Sequence, residues 1–371
     1  MKFIERAWYR KAFWLYLLWP VQFLFSVLSA WRRRVLSSNA KPLPVPLVVV
    51  GNINVGGTGK TPLLISLVKH LQAKGFKPGV VSRGYGSEAS HYPVHVDAES
   101  SVSESGDEAL IIARHCACPV VVDPDRVAAV EALLLEYSVD VVLSDDGLQH
   151  YAMKRDIEII VVDGGRAFGN GLCLPAGPLR EPLKRLGEAS LVAINGSKSA
   201  AAALKECLLK NGVVWAGSGV DAADIKRLEG TRYSELGEYA EGFGIKPQAD
   251  AFINLLSGEK RPYAGAPFKM GSRLQAICGL GNPDRFFEIL EELPYNVDRY
   301  VFDDHYAYQE PDFRQLNLDS IQPVVMTEKD AVKVQGFAQS NYWYLTIKLK
   351  LSERFLAAFD RRLAAVIQSR K

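Results

Sequence analysis

Residues 51–62, GNINVGGTGKTP, follow the apolar run PLVVV and carry the residue types that hold a polyphosphate. Gly59, Lys60 and Thr61 match the end of the pattern Gly, four residues, Gly-Lys-Ser/Thr, with Asn54 where the first glycine is expected. The chemistry survives that departure. Gly56, Gly57 and Gly59 leave backbone N–H groups able to converge on phosphate oxygens, and the helix that follows presents its positive end. Lys60 then supplies a cation between the outer phosphates, the Thr61 hydroxyl can ligate Mg²⁺, and Pro62 is tolerated in a first helical turn. Asn54, Val55, Gly56, Gly57, Thr58, Gly59, Lys60 and Thr61 are the expected ATP-binding loop.

Such a loop needs an acidic companion, and VDVVLSDDGLQH offers one: an apolar strand ending in Asp145 and Asp146. Carboxylates there can hold Mg²⁺ directly or through water, although acidic strand ends also serve as ordinary caps. Thr61 and Asp145 are the expected metal ligands. Arg83 in SRGYG and Arg180 in LPAGPLREP have the fork geometry that suits phosphate, and either could equally be a structural ion-pair partner. His150 follows the acidic strand end and could sit close to the phosphates.

The elements that must position these residues alternate along the chain. After the connector KPLPVP, short β-branched runs such as LVVVGN, PVVVD, VDVVLSDDG and IEIIVVDG are separated by amphipathic helical stretches such as PLLISLVKHLQAKG. This pattern predicts α/β architecture, a parallel sheet covered by helices like that of P-loop NTPases. Residues 221–270, mixed in charge and rich in Gly, read as the boundary region. A second, smaller α/β set follows, ending in a helix N-capped by Ser352. The expected division is 1–40 as a membrane-associated helix, 41–220 as the ATP-binding domain and 221–371 as the second domain.

Composition fits a globular protein of two domains: 371 residues, 48% hydrophobic and 23% charged. The net charge of +2 is local, because residues 1–41 hold eight Lys or Arg and one acid, leaving 36 bases against 41 acids elsewhere. No nucleic-acid partner is expected from that distribution. The five cysteines form no regular framework and favour a reducing compartment, and HCAC at His115–Cys118 lacks a second ligand pair at useful spacing for a metal.

From Ala12 to Trp31 the chain runs twenty residues without a charge, between basic residues on both sides. Its length would permit a membrane span. Pro20 in the middle, scattered aromatics and Arg32, Arg33 and Arg34 directly after it fit an interfacial helix on an anionic leaflet better. A cleaved signal peptide and a buried core helix are weaker alternatives.

The blocks GNINVGGTGKTP, SRGYG, GDE (106–108), DDGLQH, LPAGPLREP, GLGNPDRFF (279–287), FDDHYAY (302–308) and TEKDAVK (327–333) run in order over residues 51–333. Together they resemble the tetraacyldisaccharide 4′-kinase (lipid A 4′-kinase) family. The resemblance implies ATP and Mg²⁺ as cofactors and transfer of the γ-phosphate to the 4′-hydroxyl of an acylated glucosamine disaccharide 1-phosphate, with no obligate protein partner. It also implies a place on the cytoplasmic face of a bacterial inner membrane. By position it assigns Lys60 and Thr61 to phosphates and metal, Asp145 and Asp146 to the metal and catalytic carboxylate network, and Asp107 with His305 to the catalytic pair. Proton acceptance from a sugar hydroxyl by a carboxylate beside an imidazole suits those types. Asp107 is expected in the phosphate-loop domain and His305 in the second, so that domain closure completes the site. Glu328 and Lys329 are expected near the nucleotide, and the stretch 220–270 reads as longer than the family pattern.

Two other readings remain. A nucleotide-driven membrane switch would carry a lysine before the double glycine, where this chain has Val55. A carrier without chemistry of its own would leave the Asp107 and His305 blocks without a role.

Overall fold

The structure is a computed structural model describing residues 2–196, 201–216, 239–264, 267–304 and 306–370. It divides into two compact units: residues 1–83, 123–246 and 350–371, and residues 84–122 and 247–349.

The first unit is built on a parallel sheet. In spatial order its strands are the start of Ala240–Asn254, then Leu191–Asn195, Ile157–Asp163, Leu47–Gly51, Val141–Asp145 and Pro78–Ser82. Every residue of Leu47–Gly51, Val141–Asp145 and Ile157–Asp163 is buried, as expected of strands covered on both faces. Burying each Val or Leu side chain contributes about 1.5–3 kcal/mol. Because the strands are parallel and in register, the polar residues at their C-terminal ends gather along one edge, where ligands bind in such sheets. The helix Glu353–Ser369, N-capped by Ser352, returns to this unit through ion pairs of Asp360 with His70 and of Arg370 with Asp156.

The second unit has its own parallel sheet, Asn296–Val301, Arg273–Cys278, Val324–Thr327 and Tyr342–Lys350. Phe252, Phe268, Phe287, Tyr295 and Trp343 fill its core. Residues 84–122, expected with the phosphate loop, belong here instead, and the C-terminal helix, expected here, belongs to the first unit. The reason lies in long-range ion pairs: helix Asp107–His115 is tied by Glu108 and His115 to Lys329 and Glu328.

The region read as a boundary holds a fifteen-residue strand, Ala240–Asn254. Gly242 and Gly244 hid it, since glycine weakens a strand signal. Here the missing side chain has a use: a Cβ on Gly242 would stand 3.0 Å from Val213 Cγ1 on the neighbouring strand. Residues 217–238 lie outside the described residues.

At the N-terminus, Pro20 does not break a helix but starts one. Phe13–Leu18 is a 3₁₀ turn, and Trp19–Ser38 is a helix with the proline in its first turn, where a missing N–H costs nothing. No residue of that helix is fully buried. Phe25 packs against the first unit's core and Arg33 pairs with Glu188 at 2.5 Å, while Phe23, Leu24, Val27, Leu28 and Trp31 are exposed. By length and composition Phe13–Ser38 could cross a membrane.

Candidate active site

The phosphate loop joins Leu47–Gly51 to the helix Lys60–Ala73. Gly59 is the N-cap at φ +88°, a conformation that suits glycine, and no side chain caps the helix. Its first amides are therefore left for an anion. The loop's shape is fixed by side-chain amides: Asn52 donates to the Gly56 carbonyl at 3.1 Å, Asn54 to Ala167 at 2.8 Å and Asn195 to Thr58 at 2.8 Å. The Val55 N–H is committed to the Pro178 carbonyl at 2.9 Å. Asn54 and Val55 thus anchor the loop.

Asp145 ends the strand beside the loop, paired in register with Val50. Asp146 follows at φ +45°, with Oδ1 3.4 Å from Lys60 Nζ and Oδ2 3.3 Å from the Arg180 guanidinium. Burial opposes ionisation of the Asp146 carboxyl, but Lys60 and Arg180 outweigh it and hold its pKa at about 2.

Arg83 follows the strand Pro78–Ser82, and its charge is felt by both His150 and Arg126. The structure therefore brings Lys60, Arg83, Asp145, Asp146, His150 and Arg180 together within one unit. Burial, then Arg126 and Arg83, depress the His150 pKa to about 4, so its ring is neutral at pH 7.

Sequence reasoning missed Arg126. Only 2% exposed, it donates to the carbonyls of Asp123 at 3.0 Å and Asp145 at 3.1 Å. Burial pulls its pKa down to about 10, which still leaves it charged. The signal was available in DPDR directly after an apolar strand. Glu181 was missed too: it accepts from Gln149 at 2.8 Å and Tyr151 at 2.5 Å, tying LPAGPLREP to the segment after Asp146.

ATP and Mg²⁺ fit these residues. Thr58 Oγ1 and Ser144 Oγ are buried without a hydrogen-bond partner, the sign of polar atoms awaiting a ligand. Among the described residues no cluster of three or more His, Cys, Asp or Glu could hold a metal, the HCAC segment included. Nucleotide-bound Mg²⁺ asks for less, one or two protein oxygens beside phosphates and water, the number that the Thr61 hydroxyl and the Asp145 carboxylate would offer.

In the second unit, Asp107 opens the helix Asp107–His115 and is 3% exposed, with Oδ2 3.1 Å from Lys333 Nζ. Gly106 before it has φ +78°, and a Cβ there would stand 2.7 Å from the Tyr85 carbonyl, so GDE and SRGYG meet through backbone that admits only glycine. Asp107 belongs to this unit, not to the phosphate-loop unit where the sequence placed it. Glu328 and Lys329, expected near the nucleotide, pair with His115 at 2.7 Å and with Glu108. His305 lies outside the described residues.

A sequence model described as tetraacyldisaccharide-1-P 4′-kinase matches residues 14–364. The chain belongs to that family. Similar relatives named tetraacyldisaccharide 4′-kinase occur in Pseudomonas paraeruginosa, 40% identical over 369 residues with 98% of each chain covered, and Pseudomonas fluorescens, 39% identical over 98% of this chain and 97% of the relative. The family's fold is seen in LpxK from Aquifex aeolicus, solved in complex with ATP, at TM-score 0.69 and 24% identity over 94% of this chain and 99% of that one.

Proposed function

We propose that the protein is a lipid kinase that transfers the ATP γ-phosphate to the 4′-hydroxyl of tetraacyldisaccharide 1-phosphate, giving lipid IVA in lipid A biosynthesis. The observation that carries this reading is a phosphate loop backed by Lys60, Asp146 and Arg180 in a chain of a kinase family. Gly56–Thr61 bind the phosphates through backbone amides, and Lys60 neutralises charge on the outer ones. Thr61 and Asp145 would hold Mg²⁺, which would supply further neutralisation of that charge. Arg83 and Arg180 grip phosphate oxygens of ATP or of the substrate, and neutral His150 can accept or donate a hydrogen bond beside them. Asp107 takes the proton of the attacking hydroxyl, and His305 orients and tunes it.

The exposed apolar side of Trp19–Ser38 lies on the cytoplasmic leaflet of the inner membrane in this reading, where an acylated substrate resides. The test is the product. Incubated with ATP, Mg²⁺ and the disaccharide lipid, the protein should yield lipid heavier by one phosphate, with phosphorus coupling at the 4′-position by NMR. Phosphate at another position, or release of free phosphate alone, contradicts the reading.

A further inference from the structure

The short helix Glu328–Val334 touches both blocks assigned to the catalytic pair. It is N-capped by Thr327, whose hydroxyl oxygen accepts from the Asp330 N–H. On one side Lys333 reaches Asp107, and one turn earlier Lys329 reaches Glu108. The Lys333 and Asp107 side chains are 12% and 3% exposed, so the pair is shielded from the water that makes surface ion pairs weak.

On its other side the helix presents Asp330, which is 0% exposed. That carboxylate accepts from the Gly279 N–H at 3.2 Å, the Tyr308 hydroxyl at 2.9 Å and the Thr327 hydroxyl at 2.7 Å. Tyr308 closes FDDHYAY, three residues after His305. A Cβ on Gly279 would stand 2.6 Å from the Tyr308 hydroxyl and 3.1 Å from the Asp303 carbonyl, so the segment meets Gly279 before and after His305 in sequence. Phe302, Tyr306 and Tyr308 pack on one another with ring centroids 4.9–5.2 Å apart.

A buried ionic network is a poor way to gain stability, because apolar residues of similar size often do better. What it supplies is fixed direction. We propose that Lys333 and Asp330 are positioning residues for phosphotransfer: Lys333 holds the Asp107 carboxylate in its direction, and Asp330 anchors the segment carrying His305. This rests on the reading of Asp107 and His305 as the pair that serves the acceptor hydroxyl. Without Lys333, Asp107 Oδ2 loses a partner at 3.1 Å that fixes its direction.

The test is steady-state kinetics of lipid phosphorylation with the full-length protein, alongside thermal melting. Lys333→Met should lower kcat about 100-fold, the scale of a misplaced catalytic group, with KM for ATP changed less than about twofold. Lys333→Arg should recover most of that loss. In an Asp107→Asn background Lys333→Met should add nothing, because Lys333 acts through Asp107. Tyr308→Phe, a milder change that keeps the ring packing, should lower kcat in the wild type and not in a His305→Ala background.

Lys333→Met with near wild-type kcat, or an equal loss in the Asp107→Asn background, overturns the proposal. If Lys333→Met does not fold, the Lys333→Arg and Tyr308→Phe arms decide it by the same criteria. Asp107→Asn that is inactive beside an active Lys333→Met removes only this inference. Full activity of Asp107→Asn removes the catalytic reading and this inference with it.

Discussion

Val50 and Asp145 are register partners on adjacent parallel strands, so the strand that feeds the phosphate loop and the strand that supplies the acidic pair end at the same edge of the sheet. Asp146, directly after its strand, and Lys60, at the far end of the phosphate loop, then meet at 3.4 Å. Sheet register, more than any single contact, assembles this half of the chemistry.

Lys60→Ala removes the ammonium that faces Asp146 and that the proposed mechanism sets against the outer phosphates. Transfer should fall about 100-fold or more, the usual loss when a preorganised charge-stabilising group is removed. Initial rates at saturating ATP check this, and a loss under about fivefold contradicts the role.

Gly59→Ala should damage both stability and nucleotide binding. At φ +88° an L-residue costs about 1–2 kcal/mol, and the new Cβ would stand 2.1 Å from Asn195 Nδ2, whose amide now holds the Thr58 carbonyl. Thermal melting with and without ATP should show a lower midpoint and a smaller rise on adding nucleotide. An unchanged melt would contradict the cap geometry.

His150 provides a pH test with a definite sign. Its folded pKa, depressed to about 4 by burial and then by Arg126 and Arg83, lies below an unfolded value of about 6.5. Above about 6.5 both states are neutral there and His150 contributes nothing to pH dependence. Between about 6.5 and about 4 the unfolded chain binds a proton that the folded one refuses, so acidification lowers stability across that window. An NMR titration of the His150 ring should show no inflection between pH 5.5 and 8, whereas a midpoint near 6.5 would contradict the packing described.

The helix Trp19–Ser38 should bind anionic vesicles through its exposed apolar residues. Leu24→Asp removes about 2 kcal/mol of apolar burial and should weaken binding about thirtyfold. Added salt should weaken it further by screening the basic residues around the helix. Cosedimentation measures both, and binding indifferent to Leu24→Asp would place the contact elsewhere.

Much of this was legible in the sequence because it is local. The phosphate loop, the acidic strand end, the Ser352 cap and the α/β alternation each lie within a dozen residues whose types fix the conformation. What was not legible depends on distant partners. Arg126 matters through the Asp145 carbonyl, nineteen residues away, and helix Asp107–His115 joins the second unit through ion pairs 213 and 221 residues apart in sequence. Pro20 was read as an interruption because its effect depends on whether a helix continues or begins there. Ala240–Asn254 was hidden by glycines that serve close approach to a neighbouring strand.

The fate of the γ-phosphate separates a lipid kinase from an ATPase. With γ-labelled ATP, Mg²⁺ and tetraacyldisaccharide 1-phosphate in detergent micelles, the intact protein should label the lipid, and Lys60→Ala, Asp107→Ala and His305→Ala should each slow that labelling about 100-fold or more. ATP consumed with no label in the lipid would contradict transfer to the 4′-hydroxyl.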